Sequence, residues 1–319
     1  MKVFVTGASG FIGRALVQAL LTSGARVSGL VRSGRLDAAA PTMLCHRGDL
    51  TDISTWEAVL AGQEVVVHLA ARAHVLNDKR TERVRTEFMR VNRDATLELA
   101  RASVKAGVRR FVFLSTIGVN GGASDQLGFD EDSPSNPESA YAQAKYEAEI
   151  GLRQIANESS LEVVIIRPPL VYAYDAPGNF GRLLRLIGTG VPLPFGNVDN
   201  RRSLVSLENL VDFLVLCVRH PAAANETFLI SDNDDVSLCQ LVVSTASGMG
   251  KRPSLVPLPH LLLKGGLVCI GRRDLYDKLC RDLVIRSDKA KSTLGWMPVI
   301  GSHEALKACG QRYVEHKSG

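Results

Sequence analysis

No stretch of about 18 apolar residues occurs in the 319-residue chain, so no transmembrane helix is expected. The greasiest late segment, Leu261 to Val268, is broken by Lys264, Gly265 and Gly266 and reads as a helix and turn. The apolar run within the opening MKVFVTGASG is too short for a secretory leader, so none is expected. Aromatic residues make up only 6% of the chain and no basic run interleaves with them, which argues against nucleic-acid binding. The six cysteines form no C-x-x-C pair, which argues against a disulfide framework and for a reducing, cytoplasmic compartment. The seven histidines show no H-E-x-x-H or similar spacing, so no metal is expected. Ser231 to Asp235 lacks the glycine and distal glutamate of an EF-hand. Gly248-Met249-Gly250-Lys251 runs into Arg-Pro, not Ser or Thr, and is no P-loop. The excess of Lys+Arg (38) over Asp+Glu (33) is a mild +5, compatible with handling phosphorylated small molecules.

What is present is alternation of short apolar runs with amphipathic stretches. Lys2–Thr6, Arg26–Val31, Glu64–Ala71, Arg110–Ser115 and Leu161–Arg167 are near-continuous apolar runs, the pattern of strands buried on both faces. Val84, Phe88, Val91, Ala95, Leu99, Ala102 and Ala106 step at helical spacing, which predicts one helix from Thr81 to Ala106, stopped by Gly107, with a solvated basic face. The pattern predicts an α/β protein with a doubly wound parallel sheet. After Val171 glycine, proline and polar turns become frequent and the elements shorten. Residues 1–170 are therefore expected to form a dinucleotide-binding domain and 171–319 a mainly substrate-binding region, with a segment near 205–232 returning to the sheet.

Strand Lys2–Thr6 runs directly into Gly7-Ala8-Ser9-Gly10-Phe11-Ile12-Gly13, and a helix follows. Glycines at such a turn let a pyrophosphate approach the backbone at a helix N-terminus, where free amides favour anions. An acidic residue at the tip of the second strand would select NAD, but the tip reads Leu30-Val31-Arg32-Ser33. An arginine and a small hydroxyl suit a 2′-phosphate, so NADP(H) is favoured and NAD(H) remains an alternative. Asp49, after the next strand, is placed to accept a hydrogen bond from an adenine amino group.

Tyr141 and Lys145 stand four residues apart on a predicted helix and so share a face. A free phenol titrates near 10, too high for efficient proton exchange at neutrality, and a nearby ammonium stabilises phenolate. Twenty-five residues before Tyr141, Leu114-Ser115-Thr116-Ile117-Gly118-Val119-Asn120-Gly121 ends a predicted strand. Ligands of doubly wound sheets bind at that end, so a hydroxyl there can hold the oxygen that Tyr141 protonates.

Together these motifs resemble the extended short-chain dehydrogenase/reductases, the family of nucleotide-sugar epimerases, dehydratases and keto-reductases. The resemblance spans nearly the whole chain: TGASGFIG, His68–Ala71 (HLAA), Asn92, Thr116/Tyr141/Lys145, Arg167-Pro168-Pro169 and Leu294-Gly295-Trp296. It implies a Rossmann fold, with Thr116 in the hydroxyl position, Tyr141 as acid/base and Lys145 also on the nicotinamide ribose. It implies cofactor contacts at Gly7, Ser9, Gly10, Phe11, Ile12 and Gly13, then at Arg32, Asp49, Leu50, Leu69, Ala70, Ala71, Asn92 and Pro168. Gly178-Asn179-Phe180 and Arg201-Arg202-Ser203 match segments whose asparagine and arginine, here Asn179 and Arg202, hold a substrate diphosphate. Asn120 and Ala173 depart from the family's usual tyrosine and glycine at two substrate-bordering positions. The run STIGVNG is closest to bacterial polysaccharide-cluster reductases of UDP-4-keto-6-deoxy-N-acetylhexosamine. A homodimer through the helices carrying Thr81–Ala106 and Tyr141–Ala156 is implied.

The leading expectation is thus a UDP-sugar 4-keto-reductase. A UDP-hexose or UDP-N-acetylhexosamine 4-epimerase uses the same atoms but recovers its hydride each cycle. A catalytically silent cofactor sensor has no need of Thr116, Tyr141 and Lys145 together, and Asn179 with Arg202 argue against a small-ketone reductase.

Overall fold

The computed structural model describes residues 1–32, 43–52, 56–73, 82–269, Tyr276 and 279–318. Ser33, Thr81 and, on the expected basic face of the helix from Thr81, Arg80 lie outside the described residues.

Seven parallel strands form one sheet: β1 (Lys2–Thr6), β2 (Arg26–Val31), β3 (Leu44–Arg47), β4 (Val65–His68), β5 (Arg110–Leu114), β6 (Glu162–Arg167) and β9 (Thr227–Leu229). Their order is β3-β2-β1-β4-β5-β6-β9, so the strand order reverses between β1 and β4. This is a Rossmann-type doubly wound sheet, and the reversal opens a crevice at the carboxyl ends of β1 and β4. Val3 and Val5 point to one buried face, Phe4 to the other, and all three are fully buried. That two-sided burial is why the strands read as unbroken apolar runs.

Helix α1 (Phe11–Thr22) and α7 (Leu207–Arg219) cover the first face. On the other lie α2 (Trp56–Leu60), α4 (Ala95–Lys105) and α5 (Ala140–Asn157). The single helix expected from Thr81 is divided: α3 (Glu82–Met89) passes through a π-turn, Arg90–Asp94, into α4. One wide turn preserves the apolar stripe, so periodicity alone reads straight through it. The expected strand to Ala71 stops at His68, and Leu69 to Ala71 leave the sheet beside the glycine turn.

The later elements gather around a separate apolar cluster. It unites α6 (Gly178–Thr189), α8 (Leu238–Gly248) and α11 (Ser302–Ser318) with the short parallel pair β7 (Leu170–Tyr172) and β8 (Leu204–Ser206). α9 (His260–Cys269) runs unbroken through Gly265 and Gly266, where a helix and turn was expected, and α10 (Asp288–Leu294) packs near β9. Asp232 ties this region to the sheet's: buried, it accepts hydrogen bonds from Tyr172 Oη (2.7 Å), Asn209 Nδ2 (2.6 Å) and the Ser206 amide (2.9 Å). Among the described residues no helix is long and apolar enough to cross a membrane.

Candidate active site

At the end of β1 the chain turns through Gly7, at φ 70°, and the Gly10 amide donates to the Gly7 carbonyl at 2.9 Å. A Cβ on Gly7 would stand 2.9 Å from the Ala70 nitrogen, and one on Gly13 only 2.0 Å from the Gly7 oxygen. Glycine is therefore required at both places, by the turn itself and by the close approach of the chain leaving β4. Gly10 caps α1 without a side chain and the first turn carries no acid, so outward amides and the positive end of the dipole are left to a ligand. These residues fit a dinucleotide pyrophosphate. Ser9 lies beside Gly10 and is half-buried, Ile12 packs on the sheet core, and Phe11 packs against the C-terminal cluster.

On the adenosine side Arg32 is exposed directly after β2. Asp49 Oδ1 accepts from the Thr51 amide (2.9 Å) and hydroxyl (2.7 Å), and these bonds hold its carboxyl below the usual range. Arg32 and Arg90 act on the same carboxylate, so the guanidinium at the β2 tip is not electrostatically alone. Leu50 is buried in the core, which leaves its backbone as the part able to meet a cofactor.

Thr116 ends β5's extension as the N-cap of a single 3₁₀ turn, its Oγ1 accepting from the Gly118 amide at 3.2 Å. That bond leaves the hydroxyl proton free. A Cβ on Gly118 would stand 3.4 Å from Ala142 Cβ and 3.5 Å from Thr116 Oγ1, so the turn packs on α5 beside Tyr141. Tyr141 lies in the first turn of α5, where Ser139 caps the Ala142 amide. Lys145, one turn on and 1% exposed, donates to the Leu114 carbonyl at 2.8 Å and lies 4.3 Å from the Phe113 ring centre. The sequence reading expects an ammonium that eases phenol ionisation. In the protein alone burial prevails: it pushes the Tyr141 phenol up to about 12 and pulls the Lys145 ammonium down to about 7, the Glu149 carboxylate opposing the latter. The Pro168 carbonyl accepts from the Ile117 amide at 2.9 Å and fixes this turn to β6's exit.

The two expected diphosphate ligands are engaged locally. Asn179, exposed in the first turn of α6, has its side-chain oxygen 3.5 Å from Arg182 Nη1. The Arg202 guanidinium donates to the Arg281 carbonyl at 2.9 Å, and burial lowers its pKa. Asn92, expected to contact the cofactor, is bonded within the chain. It is 1% exposed and spends its amide on Arg72, accepting from that amide (2.8 Å) and donating to that carbonyl (3.0 Å).

A family profile described as the NAD dependent epimerase/dehydratase family matches residues 3–231. The chain belongs to that family. The epimerase/dehydratase chain is 39% identical to a UDP-glucose 4-epimerase of Vibrio cholerae over 317 residues, 98% of this chain and 96% of the relative. Its fold matches the crystal structure of a UDP-glucose 4-epimerase from Thermotoga maritima with UDP-glucose, at TM-score 0.79 and 27% identity across 100% of both chains. It also matches MoeE5 in complex with UDP-glucose and NAD, at TM-score 0.79, 27% identity and 100% coverage of each chain. The chain is an enzyme of this family with an extended short-chain dehydrogenase/reductase fold.

Two buried networks behind the site were not anticipated as such. His68 Nδ1 lies 2.7 Å from Thr6 Oγ1 and Nε2 lies 2.9 Å from Thr96 Oγ1. Thr96 Oγ1 donates to the Asn92 carbonyl and Thr6 Oγ1 accepts from the Ala70 amide. The directions leave one consistent tautomer, with the proton on Nε2 and Nδ1 accepting from Thr6. Burial holds the ring neutral. The second network centres on Glu149, fully buried, which accepts from Ser115 Oγ at 2.5 Å and Arg167 Nη2 at 2.6 Å. Arg167 Nη1 donates to Asn120 Oδ1 at 3.0 Å, so Asn120, the departure from the family's tyrosine, braces the arginine. Glu149 was visible as the next i+4 position after Tyr141 and Lys145, but only burial reveals its partner.

Proposed function

We propose that this enzyme is a UDP-hexose 4-epimerase that retains NAD. Near-full-length identity of 39% to the Vibrio cholerae UDP-glucose 4-epimerase carries this reading over net reduction. Residues 1–170 would hold the cofactor and 171–319 most of the sugar nucleotide.

Gly7, Gly10 and Gly13 would seat the pyrophosphate on the α1 amides, with Asp49 at the adenine. When bound, NAD supplies a hydride acceptor that can return its hydride, and a positive charge beside the phenol. Tyr141 would take the proton from the sugar C4 hydroxyl through its phenolate oxygen as the C4 hydrogen departs with its electron pair. Thr116 would donate its free hydroxyl proton to the same sugar oxygen. After the 4-keto sugar turns over in the site, Tyr141 would return the proton to that oxygen as hydride returns to the opposite face of C4. Lys145 has two ammonium donors left after Leu114, enough for ribose hydroxyls.

NAD rather than NADP is proposed because the matching MoeE5 structure holds NAD and because the Asp49 carboxylate, within Coulombic reach of Arg32, offsets part of the positive charge that would favour a 2′-phosphate. The second reading, a UDP-4-keto-sugar reductase using NADPH, draws support from Arg32, since the β2 tip itself carries no acid. Incubation with UDP-glucose and with UDP-4-keto-6-deoxyhexosamines, following nicotinamide absorbance, separates the two. The epimerase converts UDP-glucose to UDP-galactose with no net absorbance change. Stoichiometric NADPH consumption with the keto sugar alone would replace it with the reductase.

A further inference from the structure

We infer that Arg72 binds a ligand in this site, its guanidinium donating to a phosphate oxygen of a bound nucleotide. The inference builds on the nucleotide-sugar reading, yet its first arm, NAD, stands without it. Arg72 lies two residues beyond Ala70, whose backbone forms one wall of the glycine turn. Its own backbone is locked by both polar atoms of the buried Asn92 side chain, at 2.8 and 3.0 Å. The position is thus fixed whatever side chain stands there.

That side chain reaches over α3, on the ring that adjoins Tyr141. Its Cζ lies 5.7 Å from the centre of the Phe88 ring, and Phe88 meets the Tyr141 ring edge-on at 6.2 Å. The guanidinium therefore covers the aromatic side chain that supports the proposed acid/base. Among the described residues the guanidinium has no hydrogen-bond acceptor, and its Nε is buried without a partner. Glu87 feels the Arg72 charge but spends its two oxygens on Arg90, at 2.8 and 3.0 Å. A buried donor left unpaired is costly, and native proteins rarely keep one unless something else meets it. The glycine turn alongside offers only neutral amides, whereas a diphosphate carries net charge. A planar guanidinium is the donor that matches phosphate geometry.

Two diphosphates meet in such a site, the cofactor's and the substrate's, and calorimetric titration of cofactor-free protein with NAD and separately with UDP distinguishes them. Arg72→Ala and Arg72→Gln should each weaken one or both ligands about tenfold to a hundredfold, at an unchanged melting midpoint. Arg72→Gln keeps its stem over Phe88 and serves if the alanine variant fails to fold. Loss confined to NAD assigns Arg72 to the cofactor diphosphate, and loss confined to UDP assigns it to the substrate's. Wild-type affinity for both ligands in both variants overturns the inference. So does equal loss of both with a lowered melting midpoint, which would make Arg72 structural. If wild-type protein binds NAD but not UDP, the nucleotide-sugar reading fails and the NAD arm alone decides Arg72.

Discussion

The turn at residues 7–13 and the pair Asn179/Arg202 were expected to do the same work, holding a diphosphate, but they are built from different material. The first uses backbone: amides freed at the start of α1, a left-handed Gly7, and a Gly13 with no room for a Cβ. Its geometry is complete before any ligand arrives. The second relies on side chains, and both have partners inside the chain, Arg182 for Asn179 and the Arg281 carbonyl for Arg202. Arg202 keeps four N–H donors beyond that bond, but its guanidinium is already anchored on the Arg281 carbonyl and must meet a diphosphate from there or let go. Backbone sites are paid for on folding, while side-chain sites lose part of their gain to exchange. The cofactor should accordingly bind to a rigid cradle and the sugar nucleotide to one that rearranges.

Tyr141 belongs to neither region, and its loss should affect neither binding step. Tyr141→Phe should lower turnover by about 10²–10⁴-fold, with NAD and UDP affinities near wild type by titration. Near-normal turnover would remove Tyr141 from the chemistry. Gly13→Ala tests the backbone side, because the added methyl meets the Gly7 oxygen at 2.0 Å. Stability to urea should fall by about 1–3 kcal/mol, and NAD affinity should fall with it as the turn opens. Intact NAD binding in a stable variant would show that the cradle lies elsewhere. Arg202→Ala tests the other side. The KM for a UDP-hexose should rise by no more than about tenfold, the low end of a charged hydrogen bond, with NAD affinity unmoved. A hundredfold rise would erase the contrast, since it would mean that Arg202 is already poised for its ligand.

The smallest effect is a pH slope. Unfolded Lys145 titrates at 10.5 and the buried one at about 7. Between those values the unfolded chain holds a proton that the folded chain has released, so stability should rise with pH from 7 toward 10.5. The contribution is lost as pH falls through 7. The slope is at most about 1.4 kcal/mol per pH unit, and Lys145→Met should flatten it in urea titrations of cofactor-free protein at pH 7 and 9. Tyr141, raised from 10.0 to about 12, acts in the opposite sense but only above pH 10, beyond the two pH values measured.

The fold and the family were legible in the sequence because each was written in contiguous residues. Short β-branched apolar runs that lack alternation and end in turn residues read as strands covered on both faces, and a glycine-rich strand-to-helix turn has a local cause. The spacing of Tyr141 and Lys145 is a property of one helix. The π-turn at Arg90–Asp94 escaped, because one wide turn leaves the apolar stripe nearly intact.

The rest depended on which residues meet across distance. Asn92 sits 20 positions from Arg72, Glu149 sits 18 from Arg167, and Arg202 sits 79 from the carbonyl that engages it. No periodicity encodes such pairs, because a buried polar group is satisfied by whichever partner the packed chain delivers. Residue identity along a few short segments therefore determined the sheet and pointed to the candidate cofactor turn and the candidate acid/base. Only the packed structure decided how those groups are charged, because burial moved the phenol and the ammonium in directions that a linear spacing cannot express.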